Sequence, residues 1–343
     1  MMRAGIEARV TEGVHLLACS LGVAAVCSVV VACQGETREA TTGTTPASAV
    51  ASQAVRSAAP QISTPTVVTP KRAPVPRCPA DMVYVWFDGS AATGGDPAAS
   101  GGVCVDRYEA SLVHHQTGAR ISPYYPPAAK GVRTVLRIWR RRRLQIGSGK
   151  ARAVPLPSIA PWQTKGEYEP RAVVRRGATP NGHVTGKLAQ IACQRAGKRT
   201  CNRREWRRAC GGEQGWAFPY GPGYEQGGCN VFREAHPAAV LHDDASRGHS
   251  DPRLNRVTSK GRPLLRKGGA SPRCVSRWGR DGIYDMVGNV DEWLDEPTGT
   301  FAGGFYARGT KEGCEWFGGA HSIHYGDYST GVRCCKDATQ PPG

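Results

Sequence analysis

Ten of the thirteen cysteines lie after residue 77, and this even set constrains the fold more than any other feature of the sequence. An even number of cysteines in an exported chain is typical of a disulfide framework, because exported proteins fold in an oxidising compartment. Zinc is the alternative for closely spaced cysteines, but the sequence has no C-x-x-C pair to favour it. The spacing alone leaves the pairing open. The ten are Cys78, Cys104, Cys193, Cys201, Cys210, Cys229, Cys274, Cys314, Cys334 and Cys335.

The N-terminal sequence predicts export. Arg3 and Arg9 precede an apolar run at residues 16–31. This run is shorter than the about 20 residues that usually cross a membrane, and it suits the apolar region of a secretory signal. The run ends in V-V-A-C at 30–33, which resembles the lipobox of bacterial lipoproteins. The resemblance implies cleavage before Cys33 and lipidation of its thiol; the alternative is an uncleaved N-terminal anchor.

Composition divides the chain into four parts. We predict a lipoprotein-type signal peptide at 1–33, an Ala/Thr/Ser/Pro linker at 34–76, a folded domain at 77–338 and a tail at 339–343. The linker has no periodicity and cannot bury a core, so we expect it to be disordered or extended. After a lipidated Cys33 it would hold the domain off the membrane. We therefore expect a monomeric cell-envelope lipoprotein, on the periplasmic face of a membrane or at the cell surface.

The chain is strongly basic, with a formal net charge of +17 and a sequence pI near 9.6. Such a charge suggests a nucleic-acid partner, but export argues against one. A polybasic stretch with an aromatic residue can instead dock on anionic lipid, lipopolysaccharide or another polyanion of the envelope. The alternative is a solvated loop or helix face. Five arginines form the stretch: Arg137, Arg140, Arg141, Arg142 and Arg143.

Local patterns predict short elements in a loop-rich domain, in keeping with 43 glycines and 25 prolines. We expect strands at 82–87 and 103–110, and a helix at 183–196 that stops at Gly197. Asn202 is expected to cap a second helix, with Glu205 completing a capping box and Trp206 facing the core. The charges at 106–109 are expected to form structural ion pairs rather than an acid/base pair.

The stretch D-G-I-Y-D-M-V-G-N-V-D-E-W at 281–293 predicts a turn rich in oxygen ligands. Gly288 and Asn289 both tolerate positive φ, so the chain can fold back there. The carboxylates of Asp285 and Glu292, with the carbonyls of Gly288 and Val290, are ligands of the type that Ca²⁺ prefers. The alternative is a hairpin with two solvated acids.

The same stretch resembles the "G-L-x-D-M-x-G-N-x-x-E-W" signature of the formylglycine-generating enzyme (sulfatase-modifying factor) family. Further blocks follow the family's order over roughly residues 78–337; the resemblance is thin at about 120–180, which we interpret as a basic insertion. It implies an α+β fold related to C-type lectins, with short strands, two helices and long loops. The further blocks are A-C…G-K-R at 192–199 followed by E-W and A-C, F-P-Y-G at 218–221 followed by C-N, and G-G…G-V-R-C from 303 to 334.

The resemblance also implies site residues. It places structural Ca²⁺ at Asp285, Gly288, Val290 and Glu292. A second Ca²⁺ would be bound by the Asn230 side chain and the Val231 carbonyl, with a carboxylate from Asp243, Asp244 or Asp251. The implied disulfides are Cys193–Cys334 and Cys210–Cys314. Cys78–Cys104 and Cys229–Cys274 are then local choices, and Cys201–Cys335 would close the set.

The copper chemistry of the active family members lacks its ligands in this sequence. Those members follow a G-G-S turn with two cysteines five residues apart, whose thiolates bind Cu(I). Here Phe305 replaces the serine, Arg308 holds the first cysteine's place, and the second falls beside Cys314 at Gly313. Asp291 replaces the aromatic residue usual inside the signature.

We therefore expect a non-catalytic binding or scaffold role at the cell envelope, with a protein or polyanion partner. The alternative is a copper-dependent formylglycine-generating oxidase that uses Cys314 and acts on a cysteine of a protein substrate. His236, His242 and His249 have a spacing that fits no helix or strand face. We expect them to be solvated side chains rather than a metal site.

Overall fold

The computed structural model describes residues 76–87, 101–232, 235–309, 311–319 and 321–339. The signal peptide with Cys33, the linker as far as residue 75 and the tail beyond residue 339 lie outside these ranges. Fourteen short strands are described: β1 Met82–Trp86, β2 Gly102–Asp106, β3 Ser111–His114, β4 Pro170–Val173, β5 Arg199–Thr200, β6 Thr258–Ser259, β7 Arg262–Pro263, β8 Val275–Trp278, β9 Asp281–Tyr284, β10 Asp291–Trp293, β11 Phe301–Ala302, β12 Phe317–Gly318, β13 Thr330–Gly331 and β14 Cys334–Asp337. The α-helices in the described ranges are α1 Ala129–Arg142, α2 Gly149–Ala153, α3 Trp162–Lys165, α4 Gly186–Arg195, α5 Arg203–Gly211 and α6 Pro237–His242.

Two four-stranded sheets organise the domain. The first has the order β1-β2-β14-β5 and is antiparallel, so the C-terminal strand lies beside the N-terminal ones. The second has the order β12-β11-β10-β13, in which β10 and β13 pair in parallel. β10 carries the second half of the 281–293 signature, so this sheet positions the candidate site. The mixed, loop-rich architecture agrees with the expected α+β class.

The two expected helices are present, and their caps explain their bounds. α4 begins at Gly186 rather than at residue 183, because Thr185 Oγ1 accepts a hydrogen bond from Leu188 N and acts as the N-cap. His183 has a φ of 60°, which excludes it from the helix. α5 has the capping box expected of Asn202 and Glu205.

The disulfides hold this loop-rich domain together. The five bridges are Cys78–Cys104, Cys193–Cys334, Cys201–Cys335, Cys210–Cys314 and Cys229–Cys274. They include the two pairs that the family resemblance implied, Cys193–Cys334 and Cys210–Cys314. Cys201, Cys210, Cys229 and Cys274 are buried in the largest hydrophobic cluster, which also contains Trp206. Five disulfides indicate that the domain forms in an oxidising compartment.

The basic insertion forms α1 to α3 and a small core of Tyr125, Val132 and Val135. The buried Arg253 fastens it to the domain, because its guanidinium donates to the carbonyls of Ala151 and Val154. The five arginines of residues 137–143 are all exposed on α1 or just after it. Among the described helices, none combines the length and the apolar character that crossing a membrane requires.

Candidate functional site

Glu292 on β10 is buried and bound by three donors. Arg333 donates to its carboxylate from Nε at 3.0 Å and from Nη2 at 2.7 Å, and Trp206 Nε1 donates at 2.6 Å. Arg333 also donates to the carbonyls of Asp106 and Tyr284, at 2.8 and 2.9 Å. The guanidinium therefore acts as the counter-cation of Glu292 and joins three segments of the chain.

The turn at Gly288 and Asn289 has the positive φ values that the sequence predicted, 83° and 65°. Glu109 holds the turn in place. Its Oε1 accepts from Val290 N at 3.1 Å, and its Oε2 accepts from Asn289 Nδ2 at 2.5 Å. Burial raises the pKa of Glu109 well above its usual value, and the nearby charge of Asp285 adds to the effect.

The rest of the 106–109 cluster is also structural, as predicted. Asp106 Oδ1 lies 2.6 Å from Lys198 Nζ, and Arg107 Nη2 lies 2.8 Å from Asp281 Oδ1.

The expected calcium ligands of the turn include two carboxylates, Asp285 and Glu292, and both already have hydrogen-bond donors. Asp285 Oδ2 accepts from Gly269 N at 2.6 Å, and burial raises the pKa of Asp285 to about 6. Glu292 faces Arg333 and is not available to a metal ion in this arrangement. Within the described ranges, no group of three or more His, Cys, Asp or Glu side chains is arranged to hold a metal. Calcium at Asp285, Gly288, Val290 and Glu292 stays a prediction.

Asn230 offers an oxygen that lacks a partner. Its Nδ2 donates to Leu264 O at 2.8 Å and to Asn289 Oδ1 at 3.0 Å. Its Oδ1 is buried and has no hydrogen-bond partner in the described part of the chain. Among the expected calcium ligands, the fit to a cation is therefore better at Asn230 and the adjoining Val231 carbonyl than at Glu292. Two of the suggested partner carboxylates are in ion pairs, Asp244 with Arg247 and Asp251 with Arg253.

The three residues that depart from the family pattern meet in one cluster. Arg308 Nη2 donates to the buried carboxylate Oδ2 of Asp291 at 2.8 Å. The guanidinium of Arg308 lies 4.9 Å from the ring centre of Phe305 and 4.7 Å from that of Trp316. An arginine held by two aromatic rings and one carboxylate has little freedom.

Phe305 also packs against aromatic and imidazole rings. Phe305 packs edge-on against Tyr328 at 5.8 Å and against His236 at 6.1 Å. The Tyr328 hydroxyl lies 2.9 Å from His236 Nε2. Burial lowers the pKa of His236 below its usual value, and the nearby His249 adds to the effect. His236 is therefore favoured in its neutral form.

Asp291 titrates near neutrality although it is paired with Arg308. Complete burial raises its pKa to about 7, since desolvation outweighs the charge of the partly exposed Arg308. Ser329 Oγ lies 3.2 Å from Asp291 Oδ2 and 2.7 Å from Asp327 Oδ1. One hydroxyl proton cannot serve both carboxylates, so a proton on Asp291 completes this hydrogen-bond network.

Cys314 is bridged to Cys210 and buried. Its segment is fixed close to Ala217, because Cys314 N donates to the Ala217 carbonyl at 2.8 Å. Gly313 has a φ of 59°, and a Cβ there would come within 2.1 Å of the same carbonyl. The position beside Cys314 therefore cannot carry a second thiol without moving the backbone.

The expectation that the three histidines are solvated is wrong for His242. His242 is 7% exposed, and its Nε2 lies 3.1 Å from Asp251 Oδ2. The sequence around His242 predicted a polar loop. Instead, His242 ends the short helix α6, and one face of this helix is buried against residues 254–256. His236 is half-buried, and only His249 is exposed.

Sequence reasoning missed the role of Arg333, Ser329 and Glu109 at the site. In the sequence, Arg333 stood out only as part of the G-V-R-C block at 331–334. A buried carboxylate at Glu292 nevertheless requires a cation from elsewhere in the chain. The available signal was the strand pattern around Asp291 and Glu292, which forecasts burial of both acids and therefore partners for both.

Comparisons with known proteins show one family, together with distantly similar solved structures. The model of the sulfatase-modifying factor enzyme 1-like domain matches residues 110–341. A search of curated proteins found no match. A solved structure described as the crystal structure of CarF is similar at 15% identity and a TM-score of 0.34, over 76% of this chain and 98% of that chain.

Proposed function

Because the chain belongs to the sulfatase-modifying factor enzyme 1-like family, we propose that it is an exported member with a non-catalytic binding role at the cell envelope. The observation that carries the proposal is what occupies the places of the two cysteines that bind Cu(I) in active family members. Arg308 occupies the first and is paired with the buried Asp291, while Cys314 beside the second is bridged to Cys210. A two-coordinate thiolate site needs two free sulfurs, and an arginine would repel Cu(I).

The rigid environment of the Arg308 side chain supports a role for this residue in binding a ligand. Its Nε is buried without a hydrogen-bond partner in the described residues, and its side chain is 33% exposed. A guanidinium fixed by two rings and one carboxylate presents its remaining donors in a set direction. Such an arrangement suits recognition of a ligand, and it offers no redox group.

The membrane association is the second part of the proposal. A lipid at Cys33 and the 34–76 linker would tether the domain. The exposed arginines at the end of α1, together with Leu144 at 73% exposure, suit contact with an anionic membrane surface.

A thiol count with peptide mapping of the purified full-length chain, denatured without reduction, tests the copper part. We expect the ten cysteines from Cys78 onward to be bridged. Adding Cu(I) should therefore protect no thiol among them from alkylation. A free thiol at Cys314 that copper shields from alkylation would reject the proposal and make the protein an oxidase candidate. Cys19, Cys27 and Cys33 lie before Lys71, so tryptic mapping separates them from the ten cysteines that are counted.

The tether is tested by metabolic labelling with an alkyne fatty acid in a bacterial host. The parent chain should take up the label and sediment with membranes. The variant Cys33→Ala should lose both properties, whereas Cys19→Ala should keep them. Equal labelling of the parent and Cys33→Ala would contradict lipidation at this residue.

A further inference from the structure

Two cavities adjoin each other on the two sides of the β6–β7 hairpin. The smaller has a volume of about 390 Å³ and the larger about 870 Å³. Both are lined by Gly227 and by Arg262, so the two cavities are adjacent at the hairpin. We refer to these two cavities together as the hairpin groove. Its size exceeds what a single small ion needs and suits several units of an extended ligand.

The charged lining of the hairpin groove is entirely basic in the residues that the structure describes. Its cations are Arg256, Lys260, Arg262, Arg266 and Lys267, and its described lining includes no carboxylate. Arg256, Arg262 and Lys267 are exposed, and none takes part in an ion pair between described residues. A concave surface with charges of one sign concentrates ligands of the opposite sign.

Aromatic rings line both parts of the groove. In the smaller cavity, Phe232 is 40% exposed and packs against Tyr224 at 5.7 Å. Phe232 also has a φ of 55°, a strained conformation for a residue with a Cβ, which such residues adopt mostly at functional sites. In the larger cavity, the guanidinium of Arg256 lies 5.4 Å from the ring centre of Tyr124.

Basic side chains next to exposed rings fit two kinds of polymer. Single-stranded nucleic acid stacks its bases on aromatic rings, and acidic polysaccharides stack the apolar faces of their sugars. The five disulfides place this domain in an oxidising compartment, which argues for an extracellular polysaccharide over a cytoplasmic nucleic acid. The neutral hydrogen-bonding groups of the larger cavity, Thr179, Asn255 and Thr258, suit sugar hydroxyls.

We propose that the hairpin groove binds an acidic polysaccharide, with Arg262 and Lys267 contacting its carboxylate or sulfate groups and Phe232 stacking on a sugar ring. The inference rests on the proposed binding role and adds a second surface to it. It uses none of the side chains at the Asp291–Arg308 pair.

The test measures affinity of the full-length protein, in detergent, for polygalacturonate oligomers and for dextran sulfate, with neutral dextran as the blank. The two acidic probes distinguish carboxylate from sulfate as the recognised group. The double variant R262S/K267S should weaken binding roughly tenfold at low salt, since two exposed ion pairs are lost. The affinity of the parent should also fall steeply with salt.

The matched control is R277S/R280S, which removes the same charge from exposed positions of the β8–β9 hairpin, outside the lining of the hairpin groove. It should leave binding within roughly twofold of the parent. If both double variants lose affinity equally, binding follows net charge and the groove is not the site. If neither acidic polysaccharide binds above neutral dextran, the inference is rejected.

The variant Phe232→Ala separates a glycan from other polyanions. It should weaken polysaccharide binding several-fold while leaving inorganic polyphosphate, which has no ring to stack, unchanged. Equal effects on both probes, or tighter binding of single-stranded DNA than of either polysaccharide, would overturn the proposal. Cysteine mapping of each variant checks its fold. If no glycan binds and no free thiol is found, only the proposed ligand is rejected. If copper protects a free thiol at Cys314, the proposed function itself is rejected.

Discussion

At the scale of single residues, the site is organised by buried acids that each need a partner. Glu292 has Arg333 and Asp291 has Arg308, and the two pairs differ in exposure. Both members of the first pair are at most 1% exposed, whereas Arg308 is one-third exposed. Removing one member of a fully buried pair leaves an unpaired charge, which costs far more than losing a surface pair.

Replacing Arg333 therefore tests the structural role of the first pair. Arg333→Met should lower the free energy of unfolding by about 3–5 kcal/mol, because Glu292 stays buried without its cation. The control Arg107→Met removes an arginine paired with the exposed Asp281, and should cost less than about 1 kcal/mol. Urea denaturation of both variants under non-reducing conditions measures the difference. Similar costs would mean that Glu292 has another partner, such as a calcium ion.

The pKa of Asp291 makes stability depend on pH. Its folded pKa of about 7 lies above the ordinary 3.8, so the folded chain binds more protons between these values. The free energy of unfolding should therefore fall as pH rises from about 4 to about 7. Asp291→Asn should remove this part of the decline, as measured by urea denaturation at several pH values.

The variant Arg308→Gln should change the pH dependence in the opposite direction to Asp291→Asn, by extending the decline in stability instead of removing it. Loss of the guanidinium removes the charge that lowers the Asp291 pKa, so the decline should continue to higher pH. A pH profile in which both variants match the parent would show that Asp291 does not titrate in this range.

At the scale of elements, short helices depend on their caps because they have few internal hydrogen bonds. α5 has nine residues and positions Trp206, which donates to Glu292. Its N-terminus is closed by a capping box between Asn202 and Glu205. Glu205 also pairs with Arg199 on β5 at 2.7 Å, so the cap is tied to the first sheet.

Asn202→Ala should destabilise the domain by about 1 kcal/mol, since Glu205 N loses the Asn202 Oδ1 acceptor at the start of α5. Asn202→Asp keeps a capping oxygen and should stay within about 0.5 kcal/mol of the parent. Thermal melting of both variants checks the prediction. An equal loss in both would assign the effect to the amide group rather than to the cap.

At the scale of the whole molecule, disulfides replace the long regular elements that the chain lacks. The bridges close loops of very different length, from 26 residues for Cys78–Cys104 to 141 for Cys193–Cys334. Long loops lose more chain entropy on closure, so the long bridges restrict the unfolded chain most. Cys193–Cys334 and Cys201–Cys335 also bring the C-terminal strand β14 to the helical part of the domain.

When one bridge is deleted at a time, the loss in the free energy of unfolding should increase with the length of the loop that the bridge closes. The double variant Cys193→Ala/Cys334→Ala should lose about 5 kcal/mol and Cys78→Ala/Cys104→Ala about 3.5 kcal/mol on the loop-entropy relation. Non-reducing urea denaturation gives both values. A larger loss from the Cys78–Cys104 deletion would show that native packing, rather than loop closure, sets the contribution.

The sequence determined those features that depend on neighbours along the chain. The positive-φ pair Gly288-Asn289 marked the turn, and the spacing of Asn202 and Glu205 marked the start of α5. Local hydrophobic pattern placed β1 at Met82–Trp86 within one residue. These features could be predicted because steric limits on φ and local hydrogen bonding act over only a few residues.

Only the tertiary structure decided how distant residues combine. Arg333 reaches Glu292 across 41 residues, and Glu109 reaches Val290 across 181. Asp291, Phe305 and Arg308 were each recognised as departures from a family pattern, but their union in one ion pair and ring stack appeared only in the fold. The hairpin groove likewise gathers cations and rings from separate loops. Burial and charge pairing depend on which segments pack together, and no local pattern in a single sequence encodes that.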